Sequence, residues 1–135
     1  MDMVKIYYSH PMELYGSKTE KEDLEFLKRK GYVTNPADIK EKLPMIHFIN
    51  LLREHDVVYY RISYRAWGVA FEVVSALAFE IPVYSLETKR KISKKRIKEI
   101  VEIFKNSPHF EEDVEAFKNN FTEDYAKFLK VVNGA

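Results

Sequence analysis

Residues 57–79 read VVYYRISYRAWGVAFEVVSALAF, and this stretch decides the fold class. It begins with four β-branched or aromatic residues, a composition typical of a buried strand. After a short loop, residues 66–79 form a predicted helix that is apolar nearly all round. Such a helix is expected to be buried. A strand followed directly by a buried helix predicts one unit of an α/β fold.

The same alternation continues on both sides of this unit. Further strands are predicted at residues 4–9, 32–34 and 82–86. A helix beginning after Ser17 is predicted to end at Gly31, a residue suited to the C′ position. Another helix is predicted from Met45 to Arg53, and the basic stretch 89–98 leads into a predicted helix with Ile97, Ile100, Val101 and Phe104 on one face. Since parallel strands need crossover connections, we expect a parallel sheet with helices on both faces. Residues 105–135 are predicted to form a helical tail of a single domain, 1–135.

Composition limits the classes of function. The 135 residues include 22 basic and 21 acidic side chains, giving a formal net charge of +1. This balance gives no overall attraction to nucleic acid or to a membrane surface. The chain lacks cysteine, and the spacing of its four histidines matches no metal site. No apolar run approaches the ~20 residues of a membrane span. We therefore expect a cytoplasmic protein without a metal, a cofactor or a membrane partner.

Glu72 is the one charged residue of the predicted helix 66–79. A lone carboxylate in an apolar helix is costly to bury unless a partner or a ligand requires it. Gly68 and Ser75 share its helical face, and Gly68 leaves room for a substrate to approach the backbone. The helix dipole favours the ionised form of Glu72, which is suited to nucleophilic attack. The alternative is a hydrogen bond or a subunit contact without catalytic function.

Ligands of a doubly wound sheet bind outside the carboxyl ends of the strands. That rule predicts three binding loops, at residues 9–12, 35–38 and 61–67. His10 is the only histidine in these loops. Arg61 and Arg65 belong to the third loop, and their guanidinium groups suit a phosphate. Simple solvation at the surface is the alternative interpretation of both arginines.

These motifs resemble those of nucleoside 2-deoxyribosyltransferases and the related 5′-nucleotide N-glycosidases. The matching run is Trp67-Gly68-Val69-Ala70-Phe71-Glu72, followed by Pro82-Val83-Tyr84. Residues 6–11 are similar to the first strand and substrate loop of the family. Residues 31–38 are similar to its second strand and Asn-Pro turn, and Asp56 matches the Asp that precedes its third strand. The resemblance covers residues 4 to about 86.

The resemblance implies a three-layer, flavodoxin-like fold with a sheet of four to five strands. It also implies cleavage or transfer at the N-glycosidic bond of a nucleoside or a nucleoside 5′-monophosphate. In that reaction Glu72 would attack C1′ of the sugar, Tyr7 would orient Glu72, and Asp56 would help to hold the site. Family members often form homodimers or larger homo-oligomers in which neighbouring subunits complete the site. The residues expected to contact substrate are Ser9, His10, Pro11, Arg65, Trp67 and Gly68.

This sequence departs from the family pattern at three positions. The loop Asp that helps to protonate the leaving base is Ala66 here, and a Ser that contacts phosphate or sugar is Trp67. A Gly of the first-strand turn is His10. Loss of a general acid slows departure of the base by a factor of about 10² to 10⁴. Either His10 or another group supplies the proton, or the chain is a catalytically inactive nucleotide-binding module.

Residues 89–98 suggest a different function, because they carry seven basic side chains. Such a cluster can contact nucleic-acid phosphates. A solvated helix start, with the acidic residues 111–113 balancing its charge, is the alternative interpretation. We favour an N-glycosidase or deoxyribosyltransferase over a nucleic-acid-associated protein.

Overall fold

In the described part of the chain, four parallel strands form the central sheet. The structure is a computed structural model that describes residues 3–39 and 41–134. The strands are β1 (Val4–Ser9), β2 (Gly31–Thr34), β3 (Val57–Tyr60) and β4 (Val83–Ser85). Their order is β2-β1-β3-β4, and each neighbouring pair is parallel. All four predicted strands are confirmed to within one residue at either end.

Six α-helices connect and cover these strands in the described part of the chain. They are α1 (Lys18–Lys28), α2 (Met45–Leu52), α3 (Trp67–Ala78), α4 (Lys94–Lys105), α5 (Phe110–Asn120) and α6 (Tyr125–Val132). The predicted start of α1 is confirmed, because the Ser17 hydroxyl accepts the backbone N–H of Glu20. Ser93 caps α4 in the same way. Among the described residues, no helix has the length and apolar character needed to cross a membrane.

The helices cover the two faces of the sheet unequally. α1 covers one face, where Leu27 packs with Ile6 and Tyr8 of β1. The other five helices contribute to a larger core on the opposite face, which includes Tyr7 of β1 and Val58 of β3. Alternate residues of β1 therefore point into different cores, as in any strand covered on both sides. The predicted three-layer, flavodoxin-like arrangement with helices on both faces is confirmed.

Gly31 has a different role from the predicted helix C′ position. α1 ends at Lys28 with Arg29 as its C-cap, and Gly31 is already the first residue of β2. It pairs with Val4 of β1, and a β-carbon placed on Gly31 would lie 2.2 Å from the carbonyl oxygen of Val4. Glycine at this position therefore permits the close approach of two strands, and the helix ends without it.

The C-terminal residues predicted as a helical tail fold back onto the rest of the molecule. α5 packs against α2, and α6 packs against α3 and α4. Both helices contribute buried aromatic side chains to the larger core, Phe117 from α5 and Phe128 from α6. Within the predicted domain 1–135, residues 1, 2, 40 and 135 lie outside the described residues.

Candidate functional site

A cleft of about 810 Å³ opens at the carboxyl edge of the sheet. The three loops predicted to bind a ligand all line it, because the carboxyl ends of parallel strands share one edge. These loops contribute His10, Pro11, Met12, Pro36, Ala37, Arg65, Ala66 and Trp67. Met45 and Phe48 of α2 add apolar surface. The result is a concave, largely apolar site of the size usual for small-molecule ligands.

Glu72 of α3 lines this cleft although its side chain is almost entirely buried, with 4% exposure. Tyr7 donates its hydroxyl hydrogen to Oε2 of Glu72. Ser9 donates its own to Oε1, with an oxygen–oxygen distance of 2.7 Å. No ion pair involves Glu72 in the described part of the chain. Two neutral donors thus hold the carboxyl group at the inner end of the cleft.

The positions of Tyr7 and Ser9 follow from the geometry of β1. Residues two apart on a strand point to the same face, so both side chains reach the face covered by α3. Tyr8, between them, points to the opposite face and donates to Oδ2 of Asp23 at 2.6 Å. Ser9 is fully buried and does not line the cleft. The predicted substrate contact of Ser9 is therefore replaced by a contact with Glu72.

Burial raises the pKa of Glu72 to about 7, and the hydrogen bonds from Tyr7 and Ser9 oppose this shift only in part. We expected the helix dipole to keep this carboxylate ionised, but loss of hydration is the larger effect. Glu72 is thus divided about equally between its neutral and ionised forms near pH 7. Burial also raises the pKa of Tyr7 well above its ordinary value, and the nearby charge of Glu72 adds to that shift. Tyr7 therefore remains a hydrogen-bond donor at neutral pH.

Asp56 does not have the role predicted for it in the site. It precedes β3 and so lies at the amino end of the sheet, whereas the cleft lies at the carboxyl end. The four residues of β3 separate the two ends by roughly 13 Å. Oδ2 of Asp56 accepts the backbone N–H of Lys5 at 2.8 Å. This carboxylate therefore ties β3 to β1 and does not hold the site.

His10 lines the cleft, but its imidazole ring contacts other protein side chains. The side chain is fully buried, and Nε2 lies 2.8 Å from Oε2 of Glu20. The ring also stacks on Tyr8, with 4.0 Å between the ring centroids. These contacts turn both ring nitrogens towards protein groups, with Nδ1 3.4 Å from the carbonyl oxygen of Tyr8. These contacts do not favour the alternative in which His10 protonates the leaving base.

The other predicted substrate-contacting residues lie where a ligand can reach them. Pro11, Arg65, Trp67 and Gly68 all line the cleft. Arg65 is exposed there, whereas Nε of Arg61 lies 2.6 Å from Oδ2 of Asp23, so only Arg65 remains suited to a phosphate. Ser75 is buried below the cleft and does not line it, so only Gly68 and Glu72 of the predicted face do.

Five cleft residues from α5 and the segment before it were not predicted. They are Ser107, His109, Glu112, Asp113 and Ala116. The sequence signal was the acidic run 111–113, which we interpreted as a balance to the basic residues 89–98. Burial raises the pKa of Asp113 to about 6, His109 opposes the shift, and the charge of Glu112 adds to it. A second carboxyl group with a raised pKa thus lies in the same cleft as Glu72.

The basic residues 89–98 lie outside this cleft. Lys94, Lys95 and Lys98 are exposed, and Arg96 pairs with Glu99 at 2.6 Å. Comparison with protein-family models, with curated proteins and with solved structures finds no match to this chain. The family resemblance, the homo-oligomer and the nucleic-acid alternative therefore stay predictions.

Proposed function

We propose that this protein cleaves or transfers the N-glycosidic bond of a nucleoside or a nucleoside 5′-monophosphate, with Glu72 as the nucleophile. The observation that carries the proposal is a buried carboxyl group, held by two hydroxyl donors, at the inner end of a cleft of about 810 Å³. Structural carboxylates at such depth are usually paired with a cation. Glu72 has none among the described residues, and it lines the cleft.

The chemistry of a glycosidic bond suits this arrangement. Attack by a carboxylate oxygen at C1′ displaces the base through an oxocarbenium-like transition state and leaves a glycosyl ester. Water or a second base then takes the sugar and regenerates the carboxylate. A desolvated carboxylate is the more nucleophilic because no hydration shell must be removed. Tyr7 and Ser9 fix its position without neutralising its charge.

The lining of the cleft suits the two halves of a nucleoside. Trp67 and Phe48 offer aromatic surface on which a base can stack, and Met45 adds apolar contact. Gly68 precedes Glu72 by one helical turn, lines the same cleft and leaves space next to Met45. Arg65 at the same cleft can pair with a 5′-phosphate. The proposal therefore places the sugar at Glu72 and the base against the apolar wall.

The test is release of free base from a panel of ribonucleosides, deoxyribonucleosides and their 5′-monophosphates. We expect the wild type to release base and Glu72→Gln to lower the rate by at least about 10³-fold. Glu102→Gln is the matched control, because Glu102 is exposed on α4 and lies outside the cleft. Mass spectrometry of the wild type quenched during turnover should find the sugar attached to the peptide that contains Glu72.

Other outcomes would overturn the proposal. Base release that persists in Glu72→Gln would remove Glu72 from the chemistry. Thermal stabilisation by nucleotides without any base release would identify an inactive nucleotide-binding module instead. Loss of activity in both Glu72→Gln and Glu102→Gln would point to a general effect on folding, which circular dichroism of the two variants would show.

A further inference from the structure

The reaction proposed above needs a proton for the departing base, and the binding loops do not supply it. The loop position before α3 is Ala66, which has no ionisable group. His10 is buried and contacts Glu20. Tyr7 already donates to Glu72, and burial holds its pKa well above the ordinary value. A proton donor must therefore come from another wall of the cleft.

Among the described residues that line the cleft, four acidic or histidine side chains remain besides Glu72 and His10. Glu13 lies at an exposed position, where it accepts the hydroxyl of Ser63 at 2.9 Å. The side chains of His109 and Glu112 are 63% and 83% exposed, with 3.8 Å between their nearest atoms. Solvent screens the charges of side chains as exposed as these, so their electrostatic interaction with a bound ligand is weak. Asp113 is the fourth, and it is half-buried.

The fold places Asp113 in the part of the cleft wall formed by α5. It lies in the first turn of α5, and Phe117, one turn further on, is fully buried in the larger core. Ala116, on the same side of the helix as Asp113, also lines the cleft. α5 packs against α2, whose Met45 and Phe48 form the adjoining apolar wall. The carboxyl group of Asp113 is therefore held at the cleft by a helix anchored in the core.

We propose that Asp113 is the catalytic acid that protonates the leaving base and then the base that takes a proton from the attacking water. This assignment rests on the function proposed above, since it has no substrate without it. Asp113 lies in residues 87–135, which are outside the family resemblance. The acid would therefore come from a C-terminal helix, because the binding loops do not supply one.

The two steps balance as follows. An ionised Glu72 oxygen forms a bond to C1′, the C1′–N bond breaks, and its electron pair passes to the base nitrogen. The Asp113 proton moves to the base, which leaves as a neutral molecule. Water then attacks C1′, the ester bond to Glu72 breaks, and Asp113 takes the proton of the water. The products are free base and free sugar, and both carboxyl groups return to their starting states.

The protonation states agree with this assignment in a specific way. With pKa values of about 6 for Asp113 and about 7 for Glu72, both groups titrate close to neutrality. The active form has Asp113 protonated and Glu72 ionised, which reverses the order of these values. It is therefore populated where the two titrations overlap, and activity follows a bell-shaped curve with its maximum near neutrality. The titratable and charged groups near Asp113 are His109 and Glu112 on α5, and Glu13, Arg65 and Glu72 also line the cleft; His47 of α2 is exposed.

The experiment compares two leaving groups in Asp113→Asn. A nucleoside needs a proton on its base, whereas a 4-nitrophenyl glycoside of the same sugar releases a stable phenolate without one. We expect kcat for the nucleoside to fall by about 10² to 10⁴-fold in Asp113→Asn, with KM within about threefold of the wild type. The nitrophenyl glycoside should react within about threefold of the wild-type rate. Glu111→Gln is the matched control, because Glu111 is exposed on α5 and lies outside the cleft.

The pH profile of the same variant gives an independent readout. Removing the acid should abolish the alkaline limb of the bell, so that the residual rate rises to a plateau as Glu72 ionises. If the wild type does not accept the nitrophenyl glycoside, the alkaline side of the pH–rate profile for the nucleoside is the test of Asp113. Unchanged nucleoside activity, equal losses on both substrates, or a retained alkaline limb would overturn the role of Asp113 and leave Glu72 as the nucleophile. A wild type that releases no base from any nucleoside would overturn both proposals.

Discussion

The carboxyl group of Glu72 makes two hydrogen bonds and, among the described residues, no ion pair. Because burial raises its pKa to about 7, the folded protein binds this proton more tightly than the unfolded chain, where the ordinary value is 4.5. A carboxyl group that reduces stability at neutral pH is typical of a functional site. The same feature that prepares Glu72 for reaction should therefore be visible in the stability of the protein.

The first prediction concerns the dependence of stability on pH. A folded pKa above the unfolded one gives a stabilising contribution that is complete below pH 4.5 and is lost as the pH rises through about 7. For Glu72 this loss amounts to roughly 3 kcal/mol. Glu72→Gln removes the titration, so its free energy of unfolding should rise relative to the wild type by about this amount between pH 5 and pH 8. Urea denaturation at the two pH values measures the difference.

Glu102→Gln serves again as the reference, because an exposed carboxyl group contributes no comparable term. A difference between wild type and Glu72→Gln that stays constant from pH 5 to pH 8 would contradict the prediction. It would mean that Glu72 is ionised throughout this range in the folded protein, with a stronger partner than two hydroxyl groups.

Much of the arrangement around Glu72 could be predicted from the sequence. The solitary charge of an apolar helix identified Glu72, and the alternation of β1 brings Tyr7 and Ser9 to the same face. The burial that raises the pKa of Glu72 could not be predicted, because it depends on how closely α3 is covered by other elements. The predicted role of Asp56 was wrong because a residue that precedes a parallel strand lies at the amino end of the sheet, away from the cleft.

Among the elements, α3 combines a buried face with a face open to ligand at its first turn. Gly68 is the second residue of this helix and lies against Met45 of α2. A β-carbon at this position would lie 3.5 Å from Sδ of Met45, which is an ordinary van der Waals contact. The protein itself therefore has room for a methyl group here, and the position can be tested without disturbing the fold.

Gly68→Ala should separate the stability of α3 from its function. Alanine is favoured over glycine in a helix by up to about 1 kcal/mol, so we expect unchanged or slightly higher thermal stability. The added methyl group occupies cleft space next to Met45, one helical turn before Glu72, where we place the substrate. KM for a nucleoside should therefore rise about tenfold or more. Steady-state kinetics and thermal unfolding of one preparation measure both effects, and an unchanged KM would show that the substrate does not approach α3 at Gly68.

Element positions were predictable wherever the sequence carried a clear period or cap. β1 and β3 match their predicted bounds, and α1 begins after Ser17 as predicted, whereas the cap of α4 at Ser93 was not predicted. Gly31 was misinterpreted because glycine serves both at helix ends and where backbones approach closely. Only the pairing of β2 with Val4 distinguishes the two uses, and that pairing is a tertiary contact.

At the scale of the whole molecule, the strand–helix alternation determined the sheet but not the place of the C-terminal helices. A crossover helix must return the chain to a neighbouring strand, which fixes its position. No strand follows α4 in the described part of the chain, so α5 and α6 are free of that rule. Their place depends on side-chain packing around Phe117 and Phe128, and it brings Asp113 to the cleft.

Phe128 of α6 tests whether these helices fold with the sheet as one unit. Its side chain is fully buried, its ring stacks on Phe117 at 4.0 Å between centroids, and it meets Phe71 of α3 edge-on. Phe128→Ala should therefore cost about 3 to 5 kcal/mol, a large part of the stability of one domain. We expect a single unfolding transition at lower urea concentration, while Lys130→Ala, at an exposed position of the same helix, changes stability by less than about 0.5 kcal/mol. Two separate transitions in Phe128→Ala would show instead that α5 and α6 detach from an intact sheet. Base release should then be lost at the first transition, because Asp113 leaves the cleft with α5.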